Sequence, residues 1–284
     1  MLKKLFALTI AVTFAFTLSA CDTGTDTVEL GYVNWAEGVA MNYLAHAILE
    51  DEMGYEVESR MADAGPIYGS IASGNTDAFL DAWLPFTHQT YQEQYGELIA
   101  DLGYNFEGAK IGLVVPDYVD IDSIEELNEH ADAFDGDIVG IDPGAGIMGA
   151  AEDAIEAYDM SDMSLQTSSG PVMVQALAEA IENEEWIVVT GWEPHFKFAD
   201  YDLKFLDDPE ESFGAAENIH TVARVDLEDD MPDVAEFLSN FYLDSEELGT
   251  LMGMMNEHGD DYTELEIARM FMDDNEDLIQ SWLP

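Results

Sequence analysis

The clearest indication of the fold is a stretch late in the chain, Ile187-Val188-Val189-Thr190-Gly191-Trp192-Glu193-Pro194-His195. Its apolar start predicts a short buried strand that ends at a Gly-Trp corner. An earlier stretch repeats the order of strand, Trp, one residue, Pro and a nearby His: Phe79-Leu80-Asp81-Ala82-Trp83-Leu84-Pro85-Phe86-Thr87-His88. A third corner, Trp35-Ala36-Glu37, follows a strand predicted from Val28 to Val33. Three predicted strands therefore each end by bringing an indole into a loop.

The position of these indoles predicts a binding site. In open α/β sheets, ligands bind beyond the carboxyl ends of the strands. Three indoles that converge there form an aromatic cage, which recognises a quaternary ammonium group by cation–π attraction. The alternative is that each Trp only packs in the core, since buried aromatic residues are common. The matching positions, each with Pro or Glu close by, favour the site.

Composition indicates a folded protein with an extreme surface charge. The 284 residues suffice for one large core or two modest domains, and 48% of them are hydrophobic. There are 61 acidic and only 8 basic residues, for a formal net charge of -53. Such a surface repels itself unless salt is near 1 M, where the Debye length falls to about 3 Å. We therefore expect the surface of a halophile's protein.

The same composition argues against several classes of function. There is no basic patch for nucleic acid. A calcium buffer would need an Asp-x-Asp-x-Asp-Gly loop, which the sequence lacks. His88 and His195 with nearby Glu are conceivable acid–base partners, but no nucleophile elbow, metal-spaced His pair or phosphate loop accompanies them. We predict a binding protein that is not an enzyme, without metal or cofactor, and a ligand-sensing subunit stays open as an alternative.

The N-terminus predicts export and lipid anchoring. A positive start precedes an apolar run from Leu5 to Leu18, which is too short for a comfortable membrane span. Leu18-Ser19-Ala20-Cys21 looks like the lipobox of bacterial lipoproteins, although an ordinary secretory cleavage beside an incidental Cys is the alternative. We therefore predict that residues 1–21 are a signal peptide ending in a lipidated Cys21 and that residues 22–27 are a tether. The protein would lie outside the cytoplasmic membrane, in the periplasm or on the cell surface.

Beyond the tether, alternating strands and helices predict an α/β protein with parallel-rich sheets and helices on both faces. We expect one lobe from residues 28–113 and 217–284 and another from 114–216. Two crossing segments would join them around a ligand cleft that closes by hinge motion. The less regular stretches are predicted as helices over 87–101, 123–133 and 262–281 and as strands over 111–115 and 186–190.

A glycine-rich turn, Asp142-Pro143-Gly144-Ala145-Gly146-Ile147, leads from a predicted strand into a helix. Free N–H groups at a helix N-terminus bind anions, and glycine allows the backbone to approach closely. In a chain with so few cations, this turn is the candidate partner for a ligand carboxylate. The alternative is a tight connection without a ligand.

Taken together, Trp35-Ala36-Glu37, Asp81-Ala82-Trp83-Leu84-Pro85, Pro143-Gly144-Ala145-Gly146-Ile147 and Thr190-Gly191-Trp192-Glu193-Pro194-His195 resemble the glycine betaine substrate-binding proteins of osmoprotectant ABC importers, the OpuAC-like family. The resemblance covers nearly the whole mature chain. It implies a two-lobed fold of the type II periplasmic-binding-protein class, a betaine ligand and an ABC permease as partner, and a binder of choline or carnitine stays open as an alternative. The chain departs from the family in being far more acidic.

The resemblance also implies the site residues. Trp35, Trp83 and Trp192 would box the trimethylammonium head, and the N–H groups of Gly146 and Ile147 would bind the carboxylate. His88 matches a His that lines the site in some members. The roles of three further residues stay open: Glu37 and Glu193 flank indoles and either orient them, meet the cation or lie on the surface, while His195 is expected to be structural. Trp186 and Trp282 are expected to pack in the core.

Overall fold

The computed structural model describes residues 27–284, so the predicted signal peptide, Cys21 and nearly all of the tether lie outside the described residues. The strands are β1 Thr27–Tyr32, β2 Glu56–Met61, β3 Ala78–Leu84, β4 Ile99–Pro116, β5 Asp137–Val139, β6 Ser164–Gln166, β7 Val189–Glu193, β8 Leu203–Phe205 and β9 Glu217–Arg224. The α-helices are α1 Ala36–Asp51, α2 Ala64–Ala72, α3 Gln89–Tyr95, α4 Gly146–Ala157, α5 Gly170–Asn183, α6 Lys197–Asp200, α7 Leu227–Asp230, α8 Pro232–Asn240, α9 Ser245–His258, α10 Glu264–Asp274 and α11 Glu276–Trp282.

The long strand β4 connects two units of sheet. The strand order is β2-β1-β3-β9-β4-β7-β5-β6, with β8 also paired to β4. From Ile99 to Ala109, β4 pairs with β9; from Lys110 onward it pairs with β7 and then β8. The first unit comprises β1, β2, β3, β9, the part of β4 up to Ala109, and the helices α1 to α3 and α7 to α11. The second unit is the remainder of β4 with β5 to β8 and their helices.

Each unit repeats one topology. In the first unit, β1 lies between β2 and β3, and both pairings are parallel. In the second unit, β5 lies between β6 and β7, again in parallel. From β1 the chain moves to β2 on one side and then back past β1 to β3, and it makes the same reversal at β5. Right-handed crossovers therefore place the two connecting helices of each unit, α1 and α2 or α4 and α5, on opposite faces of the sheet. The space beyond the carboxyl ends of β1 and β3, and of β5 and β7, is where such sheets bind ligands.

The core follows from these layers. Helix α1 is buried on nearly all sides because it packs against β1, β2 and β3 as well as α9 and α10. Its sequence is accordingly apolar around most of its circumference, as expected for a central helix. The seven residues of β3 are all buried as well. Among residues 27–284, none of the helices has the length and apolarity needed to cross a membrane.

The predicted α/β architecture is correct, but several sequence-based boundaries are wrong. Residues 87–101 give only the short helix α3, and β4 begins at Ile99. The sequence misled because Gly103 resembles a helix end; Gly103 and Gly108 instead have positive φ at β-bulges, where the register of β4 against β9 shifts. The centre of the sheet, around β9 and β4, is antiparallel, so the sheet is mixed.

Three other predicted elements also differ. The predicted helix 123–133 forms two 3-10 helices, which begin with the expected capping box at Ser123 and Glu126. The predicted helix 262–281 is divided at Asn275 into α10 and α11. The predicted strand 186–190 begins at Val189 instead. The change of partner along β4 falls between Ala109 and Lys110, four residues before the predicted lobe boundary.

Candidate functional site

The six predicted site residues line one cavity between the two units. Its empty space is about 270 Å³. The lining comprises Trp35, Glu37, Trp83, Thr87, His88, Ile111, Ile141, Ala145, Gly146, Ile147 and Trp192. The first unit supplies two of the three indoles and the second unit supplies the third, while Ile111 lies on the connecting strand β4. The cavity therefore exists only where the units meet.

As the sequence predicts, the three indoles lie at or just beyond the ends of strands. Trp35 is the N-cap residue of α1, just after β1. Trp83 is the next-to-last residue of β3, and Trp192 lies in β7 one residue before its end. Their exposed fractions are only 5%, 3% and 3%. The peptide bonds before Pro85 and Pro194, which follow the second and third indoles, are both cis.

Each of the three indole N–H groups donates to a carboxylate. Trp83 donates to Asp81 Oδ1 at 2.8 Å, two residues back on the same strand. Trp192 donates to Glu37 Oε2 at 2.7 Å, and Trp35 donates to Asp142 Oδ2 at 3.4 Å. Each bond holds its indole ring in one orientation, and the ring N–H is no longer available to bind a ligand in the cavity.

The ring nitrogen Nδ1 of His88 lies within hydrogen-bond distance of two groups of the first unit. The Trp83 backbone N–H donates to His88 Nδ1 at 3.1 Å, and the Tyr68 hydroxyl lies 3.1 Å from the same nitrogen. Complete burial lowers the pKa of His88 to about 3, so the ring is neutral. Its proton must then be on Nε2, which is buried and finds no partner among the described residues. His88 thus offers one free donor at the cavity.

The start of α4 supplies further donors. Gly146 and Ile147 are the first two residues of α4, and the N-cap Ala145 has no side-chain cap. The first N–H groups of a helix have no partner within it, and the helix dipole favours an anion there. A Cβ on Gly146 would overlap the carbonyl oxygen of Thr87 in the first unit. Glycine at this position therefore allows the two units to meet.

Glu217 anchors the loop that carries Thr87 and His88, near the point where β4 passes from the first unit to the second. The side chain of Glu217, at the start of β9, accepts the backbone N–H of Phe86 at 2.7 Å and that of Thr87 at 3.2 Å. It also accepts the hydroxyl of Thr87. Because Glu217 pairs with Ala109 in the sheet, this anchor ties the loop to the place where β4 changes partner.

Buried ionisable side chains lie near the indoles, and two of them, Glu37 and Lys197, contact Trp192. Burial raises the pKa of Glu37 to about 7, and burial together with the charge of Glu37 raises the pKa of Asp81 well above its usual range. Lys197 is fully buried; its ammonium nitrogen lies 4.2 Å from the centre of the Trp192 ring and donates to the Trp192 carbonyl at 3.3 Å. Burial lowers the pKa of Lys197 to about 7. When Lys197 is protonated, its ammonium therefore makes a cation–π contact with the third indole.

The residues whose roles were open separate clearly. Glu37 is buried beside Trp192, whereas Glu193 is partly exposed and pairs with Lys110 at 3.2 Å. His195 packs edge-on against Trp192 and accepts the Lys197 backbone N–H, and it does not line the cavity.

Neither of the two remaining tryptophans lines the cavity. Trp282 packs against Phe241 in the core, as expected, whereas Trp186 is not a core residue and is only partly buried beside Phe134.

Sequence reasoning missed the contributions of Asp81, Asp142, Thr87, Glu217 and Lys197. Among 61 acidic residues, no local pattern distinguishes Asp142 or Glu217 as a partner of the site. The exception is Asp81, since residues two apart on a strand face the same side and Trp83 was already singled out.

Known proteins are similar to this chain in sequence and fold. The family described as the substrate binding domain of ABC-type glycine betaine transport systems matches residues 26–274. The structure is similar to ProX, a glycine/betaine/L-proline-binding protein from Borrelia burgdorferi, with a TM-score of 0.87 and 35% identity over 91% of this chain and 97% of that one. It is also similar to lactococcal OpuAC in its closed conformation with glycine betaine, with a TM-score of 0.85 and 35% identity over 91% of this chain and all of that one.

A curated relative covers less of the chain. The glycine betaine/carnitine transport binding protein GbuC of Listeria monocytogenes is 42% identical over 147 residues. This match spans 51% of this chain and about half, 48%, of the relative. The structural similarities, which span nearly the full described length, confirm the α/β fold of type II periplasmic binding proteins.

Proposed function

Because this chain belongs to the family of substrate-binding domains of ABC-type glycine betaine transport systems, we propose that it captures glycine betaine, or a related quaternary-ammonium solute, for osmoprotective import. One observation carries the proposal. Three indoles, two N-terminal helix residues and a histidine with a free donor line the same buried cavity. These are the two kinds of group that a betaine needs, for its methylated cation and for its carboxylate.

The methylated cation belongs among the indoles. It has no N–H to donate, so a π face suits it better than a hydrogen-bond acceptor. Each desolvated indole contact contributes up to about 2 kcal/mol. Asp81 and Glu37 accept indole N–H groups at the ring edges. When ionised, these carboxylates add a negative potential around the cage, which favours a cation.

The ligand carboxylate belongs at the start of α4. Among residues 27–284, the N–H groups of Gly146 and Ile147 and Nε2–H of His88 have no hydrogen-bond partner, and a carboxylate would satisfy them. This assignment needs no cationic side chain at the carboxylate, which suits a chain with few of them. A cation without a carboxylate, such as choline, would leave these donors unpaired.

The family also supports a proposal for the partners and location. We propose that the protein works outside the cytoplasmic membrane and passes its ligand to an ABC permease. The Leu18-Ser19-Ala20-Cys21 motif supports a lipid anchor at Cys21. The Cys21→Ala variant should lose its partition with membranes. Mass spectrometry that finds an unmodified mature N-terminus at another residue would contradict the anchor.

The family comprises transport proteins rather than enzymes, and we propose no catalytic role for the two histidines near the indoles. In both, Nδ1 lies within hydrogen-bond distance of a backbone N–H. Burial lowers the pKa of His88 and of His195, so neither imidazole is an effective base near pH 7.

Calorimetric titration in about 1 M salt tests the function. Glycine betaine, proline betaine, carnitine, dimethylsulfoniopropionate and choline should be compared in the same buffer. We expect at least one carboxylate-bearing ligand to bind, and choline to bind more weakly because the donors at Gly146 and Ile147 stay unpaired. If none of these ligands binds to folded protein, the proposed function is wrong.

A further inference from the structure

Two of the three indole–carboxylate bonds cross from one unit to the other. Trp192, on β7 of the second unit, donates to Glu37 on α1 of the first. Trp35, at the start of α1, donates to Asp142, which follows β5 in the second unit. The two bonds run in opposite directions, since each unit donates one indole N–H and accepts one. Trp83 differs because its partner Asp81 lies on the same strand.

The bond to Glu37 is the shorter and the more deeply buried. Its N···O distance is 2.7 Å, and Glu37 and Trp192 are 1% and 3% exposed. The bond to Asp142 is longer, 3.4 Å, at a partly exposed position. Inside the closed cleft, a buried N–H without an acceptor is costly. Closure over Trp192 is therefore favourable only when Glu37 is in place to accept.

We propose that Glu37 and, more weakly, Asp142 are positioning residues that latch the cleft shut by accepting the N–H groups of the cage indoles across it. The proposal rests on the proposed function, since it assigns these indoles to the ligand's cation. The same ring then has two tasks. Its face contacts the ligand, and its N–H bonds to the opposite unit only when the cleft is closed. Cage assembly and cleft closure therefore become one event.

The latch differs from the polar contacts at the rim of the cleft. Tyr91 donates to the Gly144 carbonyl at 2.7 Å, and Asn256 donates to Asp200 at 2.9 Å, both at exposed positions. Exposed hydrogen bonds exchange readily with water and contribute little to closure. Among the described cross-unit hydrogen bonds, those of Trp35 and Trp192 hold side chains that line the cavity, so their loss should change the lifetime of the bound ligand.

A double-mutant cycle tests the latch. Trp192→Phe keeps an aromatic face and removes the N–H, whereas Glu37→Ala removes the acceptor. In the full-length chain at fixed high salt, each change should raise the glycine betaine dissociation rate by about tenfold. Because both changes remove one bond, the double variant should dissociate no faster than the faster single variant. Glu37→Gln, whose amide oxygen still accepts, should restore most of the slow dissociation.

Closure itself is measured by small-angle X-ray scattering. With saturating ligand, Glu37→Ala and Trp192→Phe should have a larger radius of gyration than the parent. Trp83→Phe is the matched control, because it removes an indole N–H bonded within one unit and should leave the radius unchanged. If Glu37→Ala does not fold, Asp142→Ala and Asp142→Asn give the same comparison at a partly exposed position.

Two outcomes would overturn the latch: multiplicative effects of Glu37→Ala and Trp192→Phe on dissociation, or equal opening by Trp83→Phe. A parent protein that binds no betaine would contradict the proposed function instead. In that case the scattering comparison of ligand-free parent and variants still tests the latch, because the cross-cleft bonds do not require the ligand.

Discussion

At the residue scale, the three cage indoles differ in their partners, although all three line one cavity. Trp83 is fixed within one strand by Asp81. Trp192 is held by Glu37 at its edge and by the Lys197 ammonium at its face. Trp35 has the longest and weakest of the three carboxylate bonds. Rigid rings lose little freedom when a ligand binds, so this scaffold contributes to affinity through preorganisation.

Replacing any one of the three cage indoles should weaken binding. We expect Trp→Ala at 35, 83 or 192 to cost about 1–3 kcal/mol, or roughly ten- to a hundredfold in affinity, through lost cation–π contact. Phe at the same positions should cost less because a π face remains. Trp186→Phe is the control, since Trp186 packs beside Phe134 away from the cavity. A titration in which Trp192→Ala binds glycine betaine as tightly as the parent would refute the cage.

Glu37 should make stability depend on pH. Burial raises its pKa from 4.5 to about 7. Between these pH values the folded state keeps a proton that the unfolded chain has lost, so the free energy of unfolding falls as pH rises. The stabilisation is fully present below pH 4.5 and is lost as the pH passes through about 7. Denaturant unfolding of parent and Glu37→Gln should show their difference changing by on the order of 3 kcal/mol over this range. A pH-independent difference would contradict a buried, proton-holding Glu37.

At the element scale, the N-terminus of α4 combines a chemical and a steric requirement. It presents unpaired N–H groups, and it lies so close to the first unit that a side chain at Gly146 would overlap the Thr87 carbonyl. The same helix has a second glycine, Gly149, around which a Cβ would meet nothing within 4 Å. One element therefore offers both a sensitive glycine and a tolerant one.

Gly146→Ala should separate the units and weaken glycine betaine binding by at least about tenfold, because the new methyl group meets backbone rather than a movable side chain. Gly149→Ala should leave affinity unchanged. It should also stabilise the fold by up to about 1 kcal/mol, since alanine favours a helix over glycine. Titration and thermal unfolding of both variants would check this. Equal affinity of the two variants would show that α4 does not approach Thr87 as closely as described.

At the scale of the whole molecule, net charge is the dominant feature. Beyond Cys21 the chain has six cations against 61 acids. Arg60, Lys110, Lys204, Arg224 and Arg269 each lie within 4 Å of at least one carboxylate, and Lys197 is buried under Trp192. Each of these six cations is thus either paired with a carboxylate or buried, and most of the acidic surface has no compensating positive charge.

Stability should therefore rise steeply with salt. From about 0.01 M to 1 M, the screening length shrinks from roughly 30 to 3 Å, so repulsion between surface carboxylates is removed. Thermal unfolding in sodium chloride should show a large increase in Tm over this range. A neutral solute at matched osmolality should give a smaller increase. A Tm that stays flat in salt would refute the expectation of a halophilic surface.

The sequence by itself determined the features that depend on neighbouring residues. The alternation of strands and helices, the indoles at 35, 83 and 192 and the glycine-rich start of α4 were all legible as local patterns. Strand ends and helix starts are encoded within a few residues, and the topology of an α/β sheet then gathers them at one edge. For this reason the three indoles and the glycine-rich turn could be singled out from local patterns, whereas the family resemblance supplied the individual assignments of Gly146, Ile147 and His88.

Only the tertiary structure decided which of many similar residues support that site. Glu37 and Trp192 are 155 residues apart, and although Glu37 stands two residues after Trp35, no local pattern shows that it accepts the N–H of a different indole. Burial alone gives it a raised pKa and makes its hydrogen bond costly to lose. The extent of β4 was likewise undetermined locally, because its bulges and its change of partner at Ala109 and Lys110 arise from pairing with strands far along the chain. Long-range pairing and burial are properties of the folded chain, and a local pattern does not contain them.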